Sequence, residues 1–308
     1  MTSVNPSMMT STGEERRPST LSIWFQAIRP RTLSAAFAPV GVGAGVAYAE
    51  GVFNWAPVVA ALIGATLLQV GTNLANDYFD FKKGADTEAR LGPARVTQKG
   101  WVSPAQVALG AALAFGLATA VGGYLVALAG MPVVWIGVAS ILSGVLYTGG
   151  PRPLGYLGLG DVFVFVFFGP VAVCGTYYVQ SLTVSTASMW ASIPIGLLAT
   201  TILVVNNLRD RKTDVLANKR TLAVRLGAGG ARLEYLFLVL AAYGALLIPV
   251  GGMALSPGWL LPWLTLPLAI KEVRAIFNLD GAALNPHLGG AARLELLFGL
   301  LLAVGVSL

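Results

Sequence analysis

Nine long apolar stretches set the strongest limit on how this chain can fold. Each runs for roughly 17 to 25 residues, the length an α-helix needs to cross a hydrocarbon core of about 30 Å. The stretches lack the period-2 alternation of membrane barrel strands, so they predict an all-α, polytopic membrane protein with a nine-transmembrane-helix bundle. They lie at approximately 31–50, 56–78, 103–127, 133–149, 159–179, 188–207, 233–252, 258–277 and 291–308.

The composition agrees with one membrane domain preceded by a tail. The chain of 308 residues is 56% hydrophobic and only 11% charged, which is more apolar surface than a soluble domain can bury. Residues 1–21 are rich in Ser, Thr, Pro and charged residues and lack the apolar core of a signal peptide. We therefore predict a disordered cytoplasmic tail over 1–21 and a single transmembrane domain over 22–308.

Basic residues indicate which side of the bilayer each loop occupies. All 20 Lys and Arg residues fall in loops and helix ends on one side of the predicted bundle, and the opposite loops carry none. By the positive-inside tendency that side is cytoplasmic, at the cell membrane. The net charge of +6 does not indicate nucleic acid, because these residues sit between membrane spans and no nucleic-acid motif is present. The lipid bilayer is thus the expected surrounding, and no protein partner is predictable.

A polar cluster ends the second apolar stretch. Asn73, Asn76, Asp77 and Asp80 stand at i, i+3, i+4 and i+7, which places them on one face of a helix. A helix end that simply faces solvent would show the same pattern. Carboxylates and carboxamides at a membrane boundary are costly unless something neutralises them, and such oxygens suit Mg²⁺ bound together with substrate phosphates.

A second polar cluster follows the sixth stretch and shifts the interpretation toward a metal site. Asn206, Asn207, Asp210 and Asp214 repeat the 3- and 4-residue spacing. Each cluster ends an even-numbered stretch and precedes a basic loop, which is the outline of an internal four-helix repeat with a ninth helix added. Such a repeat brings the clusters face to face, so we predict one shared Mg²⁺ site.

Basic residues in three connections are candidates to bind a polyanion. A glycine-containing loop of roughly twenty residues after the first cluster is long for a compact bundle, although an ordinary cytoplasmic loop is also basic. A second connection carries an arginine between two prolines that stiffen its backbone. Arg29, before the first stretch, could bind lipid phosphate or reach the site, and we favour the site. The loop candidates are Arg90, Arg95, Lys99, Arg152, Lys219 and Arg220.

These features together describe a site for a lipid-linked polyanion bridged by Mg²⁺. A prenyl diphosphate fits, since its diphosphate binds metal and cations while its chain enters the apolar bundle. Stabilising the departing pyrophosphate lets the allylic C–O bond break. Aromatic side chains of the fifth stretch could stabilise the carbocation until an electron-rich acceptor attacks, or could simply face lipid.

The polar runs resemble a known family. N-L-A-N-D-Y-F-D-F-K-K-G-A-D and N-N-L-R-D-R-K-T-D resemble the paired aspartate-rich motifs of the UbiA superfamily of intramembrane prenyltransferases. Within it, R-P-R-T-L, G-P-A-R-V-T-Q-K-G, Y-T-G-G-P-R-P-L-G-Y-L-G-L-G-D and K-R-T-L-A-V-R-L-G resemble the 1,4-dihydroxy-2-naphthoate polyprenyltransferase branch, MenA. The resemblance covers about residues 24 to 302. It implies Mg²⁺-dependent transfer of a polyprenyl group from polyprenyl diphosphate to 1,4-dihydroxy-2-naphthoate. Release of CO₂ and pyrophosphate would give demethylmenaquinone, a step of menaquinone biosynthesis.

The resemblance also implies roles for individual residues. The six loop candidates would bind diphosphate, and Arg29 and Tyr147 would contact the acceptor or the reacting prenyl carbon. The four aspartates together with Tyr147 form the implied catalytic set. The implied metal ligands are Asn73, Asp77, Asp80, Asp210 and Asp214.

Two other functions fit part of the sequence. Another member of the same superfamily would use 4-hydroxybenzoate or a chlorin-like ring as acceptor. A secondary transporter would place its site at the repeat interface, but that class carries an ionisable residue near the middle of a span. Here the carboxylates gather at one membrane face instead, which favours the enzyme.

Overall fold

The protein is a bundle of α-helices. A computed structural model describes residues 18–85, 91–93, 95–252 and 256–308, and these ranges contain helices and turns but no strand, which confirms the all-α prediction. Residues 1–17 of the predicted tail lie outside these ranges, and the first helix begins at Thr20. The α-helices are α1 (Thr20–Ala27), α2 (Pro30–Ala49), α3 (Trp55–Lys82), α4 (Pro104–Ala129), α5 (Met131–Leu146), α6 (Gly160–Val166), α7 (Ala172–Ser181), α8 (Thr186–Leu216), α9 (Leu222–Ala245), α10 (Leu247–Gly252), α11 (Leu266–Asn278) and α12 (Asn285–Gly305).

Seven helical segments of the described chain are long and apolar enough to cross a membrane. The predicted fourth span is the 16-residue helix α5. The predicted eighth span is a 3-10 segment, Pro257–Thr265, that continues into the 13-residue helix α11. The membrane-embedded helical fold is therefore confirmed, whereas a count of nine full-length spans is not. Prolines in the eighth stretch explain why it is not one continuous α-helix, because they remove backbone donors that an α-helix needs.

Capping residues set where several spans begin. The Asn54 side chain accepts from the backbone N–H of Ala56 at 3.1 Å and starts α3. Ser103 and Gln106 form a capping box at the start of α4. Both arrangements satisfy amide groups that the first helical turn leaves unpaired. The helices then run past the apolar stretches, so α3 ends at Lys82 and carries its whole polar cluster on helical backbone.

Two spans are broken at identifiable residues. The segment Gly160–Ser181 changes at Phe167–Val171 into a π-helical turn that contains Pro170. A proline lacks the N–H that an α-helical turn requires, which accounts for the local change of pitch. Near the start of α9, Gly227 has φ 73° and interrupts the helical backbone.

Helix pairing agrees with an internal repeat. Each helix that bears an Asp cluster packs along the helix that follows it, α3 along α4 and α8 along α9. Helix α8 lies at the centre of the bundle, and most of its apolar length is buried. The last helix, α12, packs along α2. The last turns of α3 and α8 line one cavity inside the bundle.

Candidate active site

The two predicted polar clusters face one cavity of about 610 Å³. Asn73, Asp77 and Asp80 project into it from the last turns of α3, and all three are buried. Asp210 and Asp214 project from the last turns of α8 and are also buried. The prediction that the repeat brings the clusters together therefore agrees with the geometry. Asn206 also lines the cavity, and Asn207 is not among its lining residues.

Hydrogen bonds orient the first cluster. The Asn73 Nδ2 donates to the backbone oxygen of Ile28 at 3.0 Å, which leaves its Oδ1 as the group available to a ligand. The Thr97 hydroxyl donates to Asp77 Oδ1. Asn76 accepts from the Thr148 hydroxyl at 2.8 Å. The amide and carboxylate oxygens are thus held in place by neutral donors.

Asp80 has a different environment, because two cations contact its carboxylate. Arg95 Nη2 lies 2.7 Å from Oδ2, and Lys219 Nζ lies 3.0 Å from Oδ1. The Tyr156 hydroxyl also donates to Oδ1 at 2.8 Å. Asp80 therefore contacts residues from three connections that are far apart in the sequence.

The second cluster contains a buried ion pair between adjacent residues. Arg209 donates from Nε to Asp210 Oδ1 at 2.8 Å and from Nη2 to Oδ2 at 2.6 Å. The same guanidinium donates to Asn206 Oδ1 at 2.7 Å and to Asn285 Oδ1 at 3.1 Å. Asn285 in turn donates to the backbone oxygen of Leu91 at 2.9 Å. Arg209 consequently links α8 to the start of α12 and neutralises one carboxylate of the site.

Only some of the predicted substrate-binding residues lie at the cavity. Arg29, Arg95 and Lys219 line it. Arg29 also adopts φ 54° as the N-cap of α2, a left-handed conformation that a non-glycine residue rarely takes. Three residues that were predicted to bind the diphosphate are exposed and do not line the cavity: Lys99, Arg152 and Arg220. Arg90 lies outside the described residues.

The cavity contains residues that the sequence interpretation did not single out. Arg209 is only 2% exposed, yet an arginine inside an aspartate-rich run looks like one more basic residue of a cytoplasmic loop. The signal that could have found it is its position one residue before Asp210, on the buried part of a long apolar helix. Tyr156, which lines the cavity, and Thr97, which does not line it but donates to Asp77, carry no sequence signal of their own, because their contacts depend on how the loops fold back.

Tyr147 stands between the polar cavity and the membrane interior. Its ring is confined by two glycines, since a Cβ added at Gly160 would lie 2.6 Å from the phenol oxygen and one at Gly155 would lie 3.0 Å from the ring. A tyrosine phenol has an ordinary pKa of about 10. The phenol is therefore protonated at neutral pH and can donate a hydrogen bond.

A second, mainly apolar cavity of about 560 Å³ adjoins the polar one. It lies among α2, α3, α4, α5 and the broken span Gly160–Ser181. Phe163 and Phe167 line it, with ring centroids 6.1 Å apart and nearly parallel planes. Asn73, Tyr147 and Phe168 line both cavities. Aromatic residues of the fifth stretch thus line a chamber that adjoins the polar cavity.

The donor set fits Mg²⁺ in the way this ion binds together with phosphates. Within the described residues, no group of three or more His, Cys, Asp or Glu side chains lies close enough to form a metal site by itself. Mg²⁺ does not need such a cage, because it keeps several waters and usually takes one or two carboxylates plus substrate phosphates. Asp77 and the oriented Asn73 on one helix, and Asp210 and Asp214 on the other, supply oxygen ligands of that kind.

Comparison with known proteins gives a consistent assignment. Residues 36–283 match the model of the UbiA prenyltransferase family. A protein named 1,4-dihydroxy-2-naphthoate octaprenyltransferase from Escherichia coli is 37% identical over 302 residues, 96% of this chain and 98% of that protein. A protein of the same name from Mycobacterium tuberculosis is 40% identical over 248 residues, covering 80% of this chain and 84% of that protein.

A solved structure shares the fold. The UbiA homolog from Archaeoglobus fulgidus, bound to DMAPP and Mg²⁺, aligns with a TM-score of 0.62 over 92% of this chain and 99% of that chain. The two sequences are 15% identical, so the likeness concerns the arrangement of helices.

Proposed function

The chain belongs to the UbiA prenyltransferase family, and we propose that it transfers a polyprenyl group from polyprenyl diphosphate to 1,4-dihydroxy-2-naphthoate. The reaction is Mg²⁺-dependent and releases CO₂ and pyrophosphate. Its immediate product is the prenylated naphthoquinol, the reduced form of demethylmenaquinone. The acceptor follows from the relatives, because proteins of this name are 37% and 40% identical to this chain over most of its length.

One observation carries the proposal, namely that a charged cavity and an apolar chamber meet at Tyr147. A prenyl diphosphate has the same division into a polyanionic head and a long apolar chain. With its head among the carboxylates and cations and its chain in the chamber, the reacting C–O bond lies near the residues that line both. A soluble small molecule would need only one of the two cavities.

Five residues that line the cavity are proposed to hold Mg²⁺ with the diphosphate: Asn73, Asp77, Asp80, Asp210 and Asp214. When bound, the ion neutralises charge that develops on the departing pyrophosphate. Arg29, Arg95 and Lys219 contribute positive charge at the rim, where guanidinium and ammonium groups donate to phosphate oxygens. Arg95 is buried and the Lys219 side chain is only 14% exposed, and low exposure to water strengthens such interactions.

The reaction balances without any further reagent. The allylic C–O bond breaks and its electron pair leaves with pyrophosphate. The ring carbon that carries the carboxylate forms a bond to the prenyl carbon, and the bond to the carboxylate then breaks. Its electron pair restores the aromatic ring as CO₂ departs. The aromatic faces of Phe163, Phe167 and Phe168 stabilise the positive charge during transfer, and the protonated Tyr147 hydroxyl orients the acceptor beside it.

The site is proposed to face the cytoplasm. Both Asp clusters lie at helix ends on the side to which all 20 Lys and Arg residues were assigned. The positive-inside tendency places that side in the cytoplasm. Membrane-impermeant labelling of a cysteine introduced at Arg152, in right-side-out and inverted vesicles, tests this orientation. Labelling only in inverted vesicles is expected, and labelling only in right-side-out vesicles would reverse the assignment.

An acceptor assay tests the proposed function. Purified protein in lipid vesicles is incubated with a polyprenyl diphosphate, Mg²⁺ and either 1,4-dihydroxy-2-naphthoate or 4-hydroxybenzoate. We expect a prenylated naphthoquinol and no prenylated benzoate. Product from 4-hydroxybenzoate alone would place the chain in another branch of the family. Substrate accumulation inside the vesicles without pyrophosphate release would instead support a transporter.

A further inference from the structure

A half-buried glutamine lines the place where the two cavities meet. Gln69 lies on α3, one helical turn before Asn73, and lines both the polar cavity and the apolar chamber. Because α3 runs toward the charged end of the bundle, Gln69 lies deeper in the membrane domain than any residue of the first polar cluster. A carboxamide at this depth is costly unless it is hydrogen-bonded, so a polar side chain there calls for a functional explanation.

Among the described residues, Gln69 has no hydrogen-bond partner that would explain it as a structural residue. Polar side chains within membrane spans commonly hold neighbouring helices together by hydrogen bonds. Three other glutamines make hydrogen bonds with protein atoms, namely Gln26, Gln106 and Gln180. The donor and acceptor atoms of the Gln69 carboxamide are instead available to a ligand.

The other polar groups at this junction are partly engaged. Four polar side chains line both cavities, those of Gln69, Asn73, Asn76 and Tyr147. Asn73 donates to a backbone oxygen, and Asn76 accepts from a threonine hydroxyl. In the part of the chain that the structure describes, the Gln69 carboxamide and the Tyr147 hydroxyl have no such partner. These two groups are therefore the ones left to contact a molecule at the junction.

A close contact between α3 and α5 fixes where these two groups lie. A Cβ added at Gly144 of α5 would lie only 2.4 Å from the Thr72 hydroxyl oxygen of α3. Both helices run toward the polar cavity, since α3 ends beyond the first Asp cluster and α5 leads to Tyr147. Gln69 precedes Thr72 by three residues and Tyr147 follows Gly144 by three, so their backbones are offset by about 9 Å along the bundle at 1.5 Å per residue. The two groups thus lie on the chamber side and on the polar side of one contact.

We propose that Gln69 binds the acceptor, and that its carboxamide forms a hydrogen bond with a ring hydroxyl of 1,4-dihydroxy-2-naphthoate. The inference rests on the proposed function, because that function supplies the acceptor. This acceptor carries one carboxylate and two neutral hydroxyls. Its carboxylate is drawn to the cations of the polar cavity, so a hydroxyl is the group that reaches a neutral carboxamide deeper in the bundle. A carboxamide donates and accepts, and therefore pairs with a hydroxyl in either orientation.

Two contacts orient a flat ring better than one. The Tyr147 hydroxyl contacts the acceptor on the polar side and Gln69 contacts it on the chamber side, so the ring lies between them beside the aromatic faces of the chamber. Holding the ring in this way aligns its reacting carbon with the allylic carbon. A site built to hydrogen-bond a hydroxyl also rejects a molecule that lacks it, because the buried amide is then left unpaired.

Gln69→Met is the main variant, and Thr66→Val is the matched control. Methionine is close to glutamine in length and lacks the hydrogen-bonding amide. Thr66 lies three residues earlier on α3, donates to the Leu62 oxygen at 2.7 Å, and is not among the residues that line either cavity. Both changes replace a polar side chain by an apolar one on the same helix, so they differ in whether the side chain reaches the junction.

The variants are compared by steady-state kinetics and by thermal unfolding. We expect Gln69→Met to raise the KM for the acceptor by roughly three- to tenfold, the usual effect of one neutral hydrogen bond, and to leave the KM for polyprenyl diphosphate within about twofold. Its unfolding midpoint should equal or exceed that of the parent, because an unpaired polar group is replaced by an apolar one of similar size. Thr66→Val should leave both KM values unchanged.

Two acceptor analogues identify the hydrogen bond itself. 1-Hydroxy-2-naphthoate and 4-hydroxy-2-naphthoate each lack one of the two ring hydroxyls. Their dissociation constants are measured by calorimetry without the prenyl donor, so that no turnover occurs. We expect Gln69→Met to weaken the binding of one analogue and to leave that of the other within about twofold, because only one hydroxyl contacts Gln69.

Three results would overturn the inference: an unchanged acceptor KM in Gln69→Met, the same rise in Thr66→Val, or equal changes in the binding of both analogues. If Gln69→Met does not fold, Gln69→Asn serves in its place, because it draws the carboxamide back by one carbon, and the same results decide. Failure of the proposed function looks different. A parent protein that makes no prenylated naphthoquinol contradicts that function, whereas an active parent and an unaffected Gln69→Met contradict this inference alone.

Discussion

At the scale of single residues, the site depends on how buried charges are paired. Arg209 lies almost wholly inside the protein and makes a bidentate contact with Asp210, and two further bonds fix its guanidinium. Asp77 differs, since a neutral hydroxyl from Thr97 is its hydrogen-bond donor. Two aspartates of one cavity therefore have different partners: a neutral hydroxyl at Asp77 and a guanidinium at Asp210. The cost of a substitution depends on which partner is left behind.

Loss of Arg209 should destabilise the protein strongly. Arg209→Met leaves Asp210 buried without its cation, and breaking a buried pair in this way typically costs about 3–5 kcal/mol. Thermal unfolding in detergent should show a large fall in midpoint temperature. Adding Asp210→Asn should restore part of the loss, because the remaining carboxylate is then uncharged. A double variant no more stable than Arg209→Met would show that the pair is not what stabilises the helix end.

Loss of Asp77 should affect turnover more than stability. Asp77→Ala removes a proposed ligand of the ion at the leaving group, so we expect turnover to fall by roughly a hundredfold or more. Asp280→Ala provides the matched control, since Asp280 is half exposed and lies outside the cavity lining. Steady-state assays at several Mg²⁺ concentrations measure both. Near-normal turnover of Asp77→Ala at limiting Mg²⁺ would contradict the metal role.

At the scale of helices, close packing by small residues holds α2 and α12 together. A Cβ added at Gly45 would lie 2.5 Å from the Ala303 oxygen, and one at Gly299 would lie 2.8 Å from the Ala38 Cβ. Residue numbers rise together in these two contacts, so the helices run parallel. Small residues allow this approach of backbones inside a membrane, where packing rather than the hydrophobic effect drives association.

A pair of glycine substitutions in α2 separates this packing from the properties of the helix itself. Gly45→Val should destabilise the protein by about 1–3 kcal/mol or more, since an added side chain forces α2 away from α12. Gly41→Val places the same side chain on the same helix where no atom lies within 4 Å of the new Cβ. Unfolding midpoints of the two variants in the same detergent provide the comparison. Equal midpoints would mean that the α2–α12 contact is not tight.

The helices also show how far sequence reasoning reaches. Hydropathy located the spans well because each must fill the bilayer with apolar side chains, and the observed α2 and α4 end close to the predicted limits. Helical spacing predicted that Asp77 and Asp210 share one site, and both line the same cavity. Spacing along a helix could not show that Asp80 is held by loop cations. Loop geometry depends on tertiary contacts, which is why Arg95 reaches the cavity and Lys99 does not.

At the scale of the whole molecule, the fold places a charged cavity beside an apolar chamber within one helix bundle. The ends of α3 and α8 provide carboxylates beside a cavity of about 610 Å³, and the spaces among their neighbours form a chamber of about 560 Å³. Tyr147 lies where these meet. A membrane bundle of this kind lets a lipid-borne donor react with a polar acceptor without leaving the bilayer. This division explains why the placement of charges in the sequence indicated a lipid-linked polyanion, whereas the acceptor was implied by the resemblance to the family.

The stoichiometry of carbon dioxide and pyrophosphate tests the central claim most directly. Purified protein in vesicles is given polyprenyl diphosphate, Mg²⁺ and 1,4-dihydroxy-2-naphthoate labelled in its carboxylate carbon. The account predicts that labelled CO₂ and pyrophosphate appear in equal amounts, that the prenylated naphthoquinol carries no label, and that chelating Mg²⁺ stops all three. Pyrophosphate released without labelled CO₂, or a prenylated product that retains the label, would contradict it.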